Sequence, residues 1–308
     1  MGHSRINTTI LAIISCLLWS SAFAGVKIGL QYTSPVQFAG IRFFISGLLV
    51  LPLAIWINPR YFRIVRVHFK MILLFAFLLT FLQYIMFYTG INMIPGAVAA
   101  IVIGSQPFFI AVVAHFIMPG DRITLVKIII ILFGILGVVL VSLGKDPGSV
   151  TGTIAMAGIL LMVAINILSG FNNVLVAREK GMIPPLVISS ASMIIGGAAL
   201  FLFSIPLEGL HFEPKPMPYY LSLVWLSMLS AVAISIWITL LKRPGIKVSD
   251  LNLWKFLIPL SGAILSWILL PGERPEALSI TGMIIIALSL IVLNMVNRKK
   301  HAIIKEKT

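Results

Sequence analysis

A chain of 308 residues that is 59% hydrophobic and 10% charged, with a mean hydropathy of +1.08, carries more apolar surface than a single soluble core can hide. Its formal net charge of +14 would suit a polyanion binder, but the basic residues sit in short breaks between apolar runs and form no aromatic-interleaved stripe, which argues against a nucleic-acid surface. The single cysteine, Cys16, excludes an internal disulfide or thiolate metal site.

Taken in chain order, ten runs of roughly 20 apolar residues are each adequate for a spanning helix. They cover 8–30, 35–57, 70–92, 97–118, 123–143, 153–177, 184–205, 218–241, 249–270 and 276–297. The expected fold class is an all-α polytopic membrane protein with ten transmembrane helices. Ala22-Phe23-Ala24 near the end of the first run resembles a signal-peptide cleavage site, but the apolar part is too long for one. With the N-terminus inside, the inner breaks hold Arg5, then Arg60, Arg63, Arg66 and Lys70, then Arg122 and Lys127, Arg178 and Lys180, Lys242, Arg243 and Lys247, and the tail from Arg298. The outer breaks hold only Lys145, Lys215 and Arg274, so both ends are expected in the cytoplasm, with the chain in the inner (plasma) membrane.

One stretch occurs twice. Residues 97–122 read AVAAIVIGSQPFFIAVVAHFIMPGDR and residues 249–274 read SDLNLWKFLIPLSGAILSWILLPGER; Pro107 matches Pro259 and Pro119-Gly120-Asp121-Arg122 matches Pro271-Gly272-Glu273-Arg274, at one offset of 152 residues. Five helices per copy force the second copy to enter the membrane from the opposite face, so the expected organisation is two inverted five-helix repeats, 8–143 and 153–297, joined at 144–152 and followed by a basic cytoplasmic tail, 298–308. A proline inside each matched helix removes a backbone donor, and matched interruptions in two halves point to a transporter's binding site.

The run Trp19-Ser20-Ser21-Ala22-Phe23-Ala24-Gly25-Val26-Lys27-Ile28-Gly29, followed by Ser34-Pro35-Val36-Gln37-Phe38-Ala39-Gly40-Ile41-Arg42-Phe43-Phe44, resembles the first two helices of the drug/metabolite transporter superfamily, in particular its ten-helix EamA-type members. The Ala-rich fourth helix with a central proline and a closing Gly-acid pair is similar to the same family. The chain departs from the family pattern in carrying Asp121 where Glu is commoner, and a small residue near Ser190 or Ala191 opposite Arg42. The resemblance implies alternating access and export of small metabolites such as amino acids, and leaves the individual substrate open.

Candidate lining residues follow from polar positions at helical spacing. The third helix offers Gln83 and Phe87 on one face and Tyr84 and Tyr88 on the next; the fourth offers Ser105, Gln106 and Pro107; the sixth offers the stripe Asn166, Ser169, Gly170 and Asn173; the eighth offers Ser230 and Trp237; the ninth offers Asn252, Trp254, Lys255 and Pro259. The plainer reading of each is helix packing for the small polar residues, interfacial anchoring for Trp and Tyr, and a simple kink for the prolines. An ionised group in hydrocarbon costs several kcal/mol unless it meets water or a partner. Arg42 lies seven residues from Pro35, roughly 10 Å below the outer surface, Lys255 sits as deep from the inner one, and no Asp or Glu falls well inside any run. Two cations without carboxylates favour substrates with an anionic group; the competing reading is that both side chains snorkel to their nearer interfaces. The absence of a central carboxylate also points to facilitated or potential-driven transport over proton antiport. There is no GxGD aspartate pair, GxSG nucleophile, HExxH or phosphate loop, so no enzyme, cofactor or metal site is expected. The implied partners are a small-molecule substrate and the lipid bilayer; exporters of amines, nucleosides or drug-like compounds, and a channel or lipid-handling protein of the same build, are the alternatives.

Overall fold

A computed structural model of the chain describes residues 2–94, 99, 102–121, 123–143, 153–179, 181–210, 213–269, 277–278, 280–289 and 291–292. All secondary structure among them is helical. In chain order the helices are α1 (Gly2–Gly29), α2 (Pro35–Ile57), α3 (Tyr61–Val67), α4 (Phe69–Met93), α5 (Gln106–Ile117), α6 (Leu125–Leu143), α7 (Thr153–Arg178), α8 (Pro185–Glu208), α9 (Met217–Leu241), α10 (248–269) and α11 (Ile280–Ser289). Six are long and apolar enough to cross a membrane: Thr8–Gly29 within α1, α2, α4, Met156–Arg178 within α7, α8 and α9. Their outward faces carry exposed Leu49, Leu160, Leu202 and Leu221, as a lipid-facing surface requires.

The centre of the bundle is the crossing of α2 and α8. Gly47 and Gly197 let the two backbones meet: a Cβ on Gly47 would stand 2.6 Å from the amide nitrogen of Ile194, and one on Gly197 2.4 Å from that of Phe44. Around this pair α1 packs on α9 and α10, while α7 receives α4 and α5. The ends are tied by polar groups. The Glu208 carboxylate closing α8 accepts the Val36 and Gln37 amides at 2.9 and 2.8 Å, satisfying donors that the first turn of α2 leaves unpaired.

Three expectations change. The run 97–118 is not one smooth helix among the described residues: Val102–Gly104 is helical, Ser105 turns, and α5 starts afresh at Gln106. Pro107 therefore sits in a first helical turn, where its missing N–H removes no intrahelical bond, and it does not kink the middle of a span. In α10 the break takes another form: Val248–Asn252 is α-helical, Leu253–Phe256 winds as a 3₁₀ turn, and Leu257–Leu269 resumes, so the donor that Pro259 removes four residues after Lys255 leaves no bare acceptor there, the Lys255 carbonyl meeting the Leu257 amide in the tighter turn. The basic break at 60–70, read as a plain connection, contains α3, because Tyr61, Ile64 and Val65 give it a face that packs on the bundle. A π-helical stretch, Ala76–Leu82, also interrupts α4. Val102–Ile117, Leu125–Gly137 and Ile280–Ser289 are apolar but shorter than a full span. The join at 144–152, the second copy of the turn at 271–274 and the tail at 298–308 lie outside the described residues.

Candidate functional site

The two helix breaks lie next to each other and to the middle of α7, and their polar groups meet there. At the first break the Val102 carbonyl accepts from the Ser105 amide (3.1 Å), the Ser105 hydroxyl (2.6 Å) and Asn166 Nδ2 (2.5 Å), and Asn166 Nδ2 also donates to Ser105 Oγ at 3.1 Å. An irregular backbone at membrane depth is tolerable because side chains take up its free acceptors in this way. The next residue, Gln106, projects from the first turn of α5, donating through Nε2 to Ser169 Oγ (2.9 Å) and accepting Lys255 Nζ at Oε1 (2.7 Å).

Lys255, in the 3₁₀ turn of α10, is the centre of the cluster. Its residue is 8% exposed, and its ammonium lies 5.0 Å from the ring centre of Trp237 and 5.5 Å from that of Trp19, the two indoles meeting edge to face at 5.1 Å. The side chain thus turns into the protein and does not snorkel. Trp237 Nε1 donates to Asn173 Oδ1 at 2.9 Å, which also accepts Asn252 Nδ2 at 3.1 Å, fixing the indole that faces the cation. Two cation–π contacts in a desolvated site offset about 2 kcal/mol or more of the ammonium's burial. Of its three donors, one makes a hydrogen bond among the described residues. The acceptors Asn166 Oδ1 and Asn252 Oδ1 are likewise buried with no hydrogen-bond partner among the described residues. The site therefore offers both cationic donors and neutral acceptors to a guest.

Arg42 stands apart. It is 3% exposed and joins three helices: Nη1 donates to Tyr88 Oη of α4 (2.5 Å), Nη2 to Ser230 Oγ of α9 (2.6 Å) and Nε to the Leu226 carbonyl (3.3 Å), while the guanidinium carbon lies 4.7 Å from the Phe43 ring centre. A planar fork with three of its five N–H groups bonded to two other helices and a ring against it is a strut. Tyr84 packs on Phe43 with centroids 3.9 Å apart, and Phe87 links Tyr88 (5.7 Å) to Phe23 of α1 (6.2 Å), so an aromatic column runs from the Arg42 cluster toward Trp19.

Of the residues expected from sequence to line a site, the structure gathers Ser105, Gln106, Asn166, Asn173, Trp237 and Lys255 into one cluster, with Pro107 and Pro259 buried beside the two breaks. It places Arg42, Tyr84, Phe87 and Tyr88 in the second cluster, and Gln83 in a third contact, accepting Asn172 Nδ2 at 2.7 Å. Trp254 packs at the edge of the core around Trp237 and Leu251. Trp19 was missed as a site residue. Its signal was position: it lies eleven residues into the apolar part of α1, too deep for an interfacial tryptophan.

A further cluster closes the bundle where α5 and α9 end and α10 begins. Asp121, 3% exposed, accepts the Ser249 amide (2.9 Å) and hydroxyl and faces Lys127 Nζ (3.4 Å); Lys127 also reaches Ser249 Oγ and Asp250, both at 2.6 Å. Nearby, Lys242 pairs with Glu179 and donates to the Ile183 carbonyl at 2.5 Å.

Comparison with known proteins agrees with this build. The model of the EamA-like transporter family matches twice, over residues 7–143 and 156–295. A Bacillus subtilis (strain 168) protein named as the uncharacterized transporter YvbV is 24% identical over 97% of this chain and 95% of its own. An Escherichia coli (strain K12) protein named as a probable amino-acid metabolite efflux pump is 26% identical over 92% of this chain and 93% of its own. A solved crystal structure, 19% identical, superposes with a TM-score of 0.81 over 95% of this chain and 98% of its own, and has the same fold.

Proposed function

Because the chain belongs to the EamA-like transporter family, we propose that it is a secondary transporter that exports amino acids or related carboxylate-bearing metabolites across the inner membrane by alternating access. The observation that carries the substrate class is Lys255: among the described residues it is a buried amine with no carboxylate partner and two donors to spare, held between Trp19 and Trp237. A substrate carboxylate completes its coordination, and the unpaired Asn166 Oδ1 and Asn252 Oδ1 suit the ammonium of an amino acid. The described carboxylates Asp121, Glu179, Glu208, Glu213 and Asp250 all stand at or beyond helix ends, which supports potential-driven or facilitated movement over proton antiport. The relative named as a probable amino-acid metabolite efflux pump supports the same class.

Ten spans in two inverted repeats are the frame of this reading. The double match of the family supports it, as does the reciprocity at the crossing of α2 and α8: Gly47 against Ile194 and Gly197 against Phe44 exchange under a shift of 150 residues. The same exchange turns α1 on α9 into α7 on α4, and α1 on α10 into α7 on α5. Both breaks and Lys255 fall where the two halves meet, the place at which such repeats hold substrate.

The test is counterflow in proteoliposomes with radiolabelled amino acids, dicarboxylates, amines and nucleosides. Losing one charge-assisted hydrogen bond, about 1.5–3 kcal/mol, should make Lys255→Gln roughly 10- to 100-fold weaker for carboxylate-bearing substrates. Carriage of only amines or neutral compounds, or a variant that moves carboxylates as the parent does, overturns the assignment.

A further inference from the structure

The short helix α3 has a feature that neither topology nor transport accounts for. Arg60, Arg63, Ile64, Val67 and His68 enclose a surface hollow of about 250 Å³. Two guanidiniums one turn apart and an imidazole give it several donors, and no Asp or Glu occurs anywhere before Asp121 to neutralise them. Among the described residues the elements that pack most on α3 add none: α8 is free of charge up to Glu208 at its far end, and α4 contributes Lys70.

The helix is also held in place. Tyr61 turns into the bundle and its hydroxyl lies 3.0 Å from Ser190 Oγ of α8, burial raising the phenol above its usual range so that it stays neutral. Because α3 connects α2 to α4, both long enough to span, it lies at a membrane surface whichever way the chain is oriented. Beside the hollow, and with Arg66 among them, large apolar side chains stand bare: Phe62 is 68% exposed, Val67 at the rim 66% and Phe69 just after the helix 51%, with Trp56 at 78% just before it. A cationic hollow edged by unburied aromatic side chains fits the boundary between headgroups and acyl chains, where an in-plane amphipathic helix buries its apolar residues while its cations stay at headgroup level.

We propose that this hollow is a binding site for the phosphate headgroup of an anionic phospholipid, Arg60 and Arg63 gripping the phosphate while Phe62, Val67 and Phe69 enter the acyl layer. A topological signal needs only positive charge somewhere in the break. Here two arginines converge on one hollow in a helix pinned by Tyr61, and Arg66 and Lys70, equally exposed, do not line it.

The difference between the two pairs supplies the test. The purified full chain is titrated in mild detergent with dioctanoyl phosphatidylglycerol, dioctanoyl phosphatidylcholine and inorganic phosphate, and bound lipid is counted by native mass spectrometry. Arg60→Gln/Arg63→Gln is expected to weaken phosphatidylglycerol retention about 30-fold, and Arg66→Gln/Lys70→Gln, which removes the same charge, by no more than about threefold. All four side chains are exposed, so neither variant should unfold, and equal melting temperatures check this. The site is refuted by equal losses in the two variants, which would mean bulk charge alone. It is refuted equally by phosphatidylcholine binding as tightly as phosphatidylglycerol, or by inorganic phosphate displacing the lipid at equal concentration, which would mark a free-anion site.

Discussion

If the two halves rock about the Lys255 cluster, the contact at Asp121 is a latch that must open, and removing its charge should show it. The carboxylate is buried against Ser249 at the start of α10 and beside Lys127 of α6, so it ties the first half of the chain to the second at the end read as cytoplasmic. Asp121→Asn keeps the volume and one acceptor but loses the charge that strengthens the Ser249 amide and hydroxyl bonds. Two charge-assisted bonds weakened by about 1.5 kcal/mol each give about 3 kcal/mol in favour of the state open at this end, roughly a 100-fold change in the ratio of states. Lys127 keeps Asp250 at 2.6 Å, so the variant does not strand an unpaired buried ammonium. The assay uses a Cys16→Ala background, Cys16 being the chain's one cysteine, with a reporter Ser169→Cys beside Gln106. Alkylation by a membrane-impermeant maleimide is timed from the cytoplasmic face of inverted vesicles. The Asn variant should label tens of times faster than the parent. An unchanged labelling rate combined with a lower melting temperature would mean that Asp121 only staples the fold and that this end does not open as argued.

Two further substitutions separate scaffold from site. Gly47→Ala or Gly197→Ala puts a methyl group within 2.6 Å of the facing backbone, so each should cost about 1–3 kcal/mol and lower the melting temperature in nanodiscs; an unchanged midpoint would contradict the close approach of α2 and α8. Arg42→Met leaves Tyr88 and Ser230 without their donor, at about 1–3 kcal/mol each, and should reduce thermal stability while leaving the ratio of carboxylate to amine transport unchanged. A selective loss of carboxylate transport in that variant would return Arg42 to the substrate path.

The long apolar helices were legible because hydrophobic length alone decides them: Pro35–Ile57 was read to the residue, and Phe69–Met93 to within one. What composition cannot encode is how a span is interrupted. Pro107 and Pro259 marked both places, yet the proline does not cause the break at its own position. It sits one or two residues inside a helix that restarts, and the break is held open by groups from elsewhere, Asn166 on the Val102 carbonyl being the clearest. α3 was hidden for a related reason. Four cations in eleven residues dominate the reading of 60–70, and the apolar face between them matters only once α8 supplies Ser190 for Tyr61 to meet.

Arg42 and Lys255 show where reading a sequence stops and geometry begins. Each is a cation inside an apolar run, each lacks an acidic neighbour, and each lies about as deep, so the same physical argument applies to both and yields the same expectation. The deciding quantity is how many neighbours fix each cation, and that depends on Tyr88, Ser230 and Leu226 arriving around Arg42 from two other helices, with separations in sequence of 46, 188 and 184 residues. Among the described residues Lys255 meets one acceptor, Gln106, 149 residues away, and two aromatic faces that attract its charge without consuming its hydrogen-bond donors. An arginine tied to three neighbours by hydrogen bonds is held in one place and adds stiffness to the bundle. A lysine held by ring faces keeps donors free, which is the condition under which a carboxylate entering the bundle gains most from stopping there.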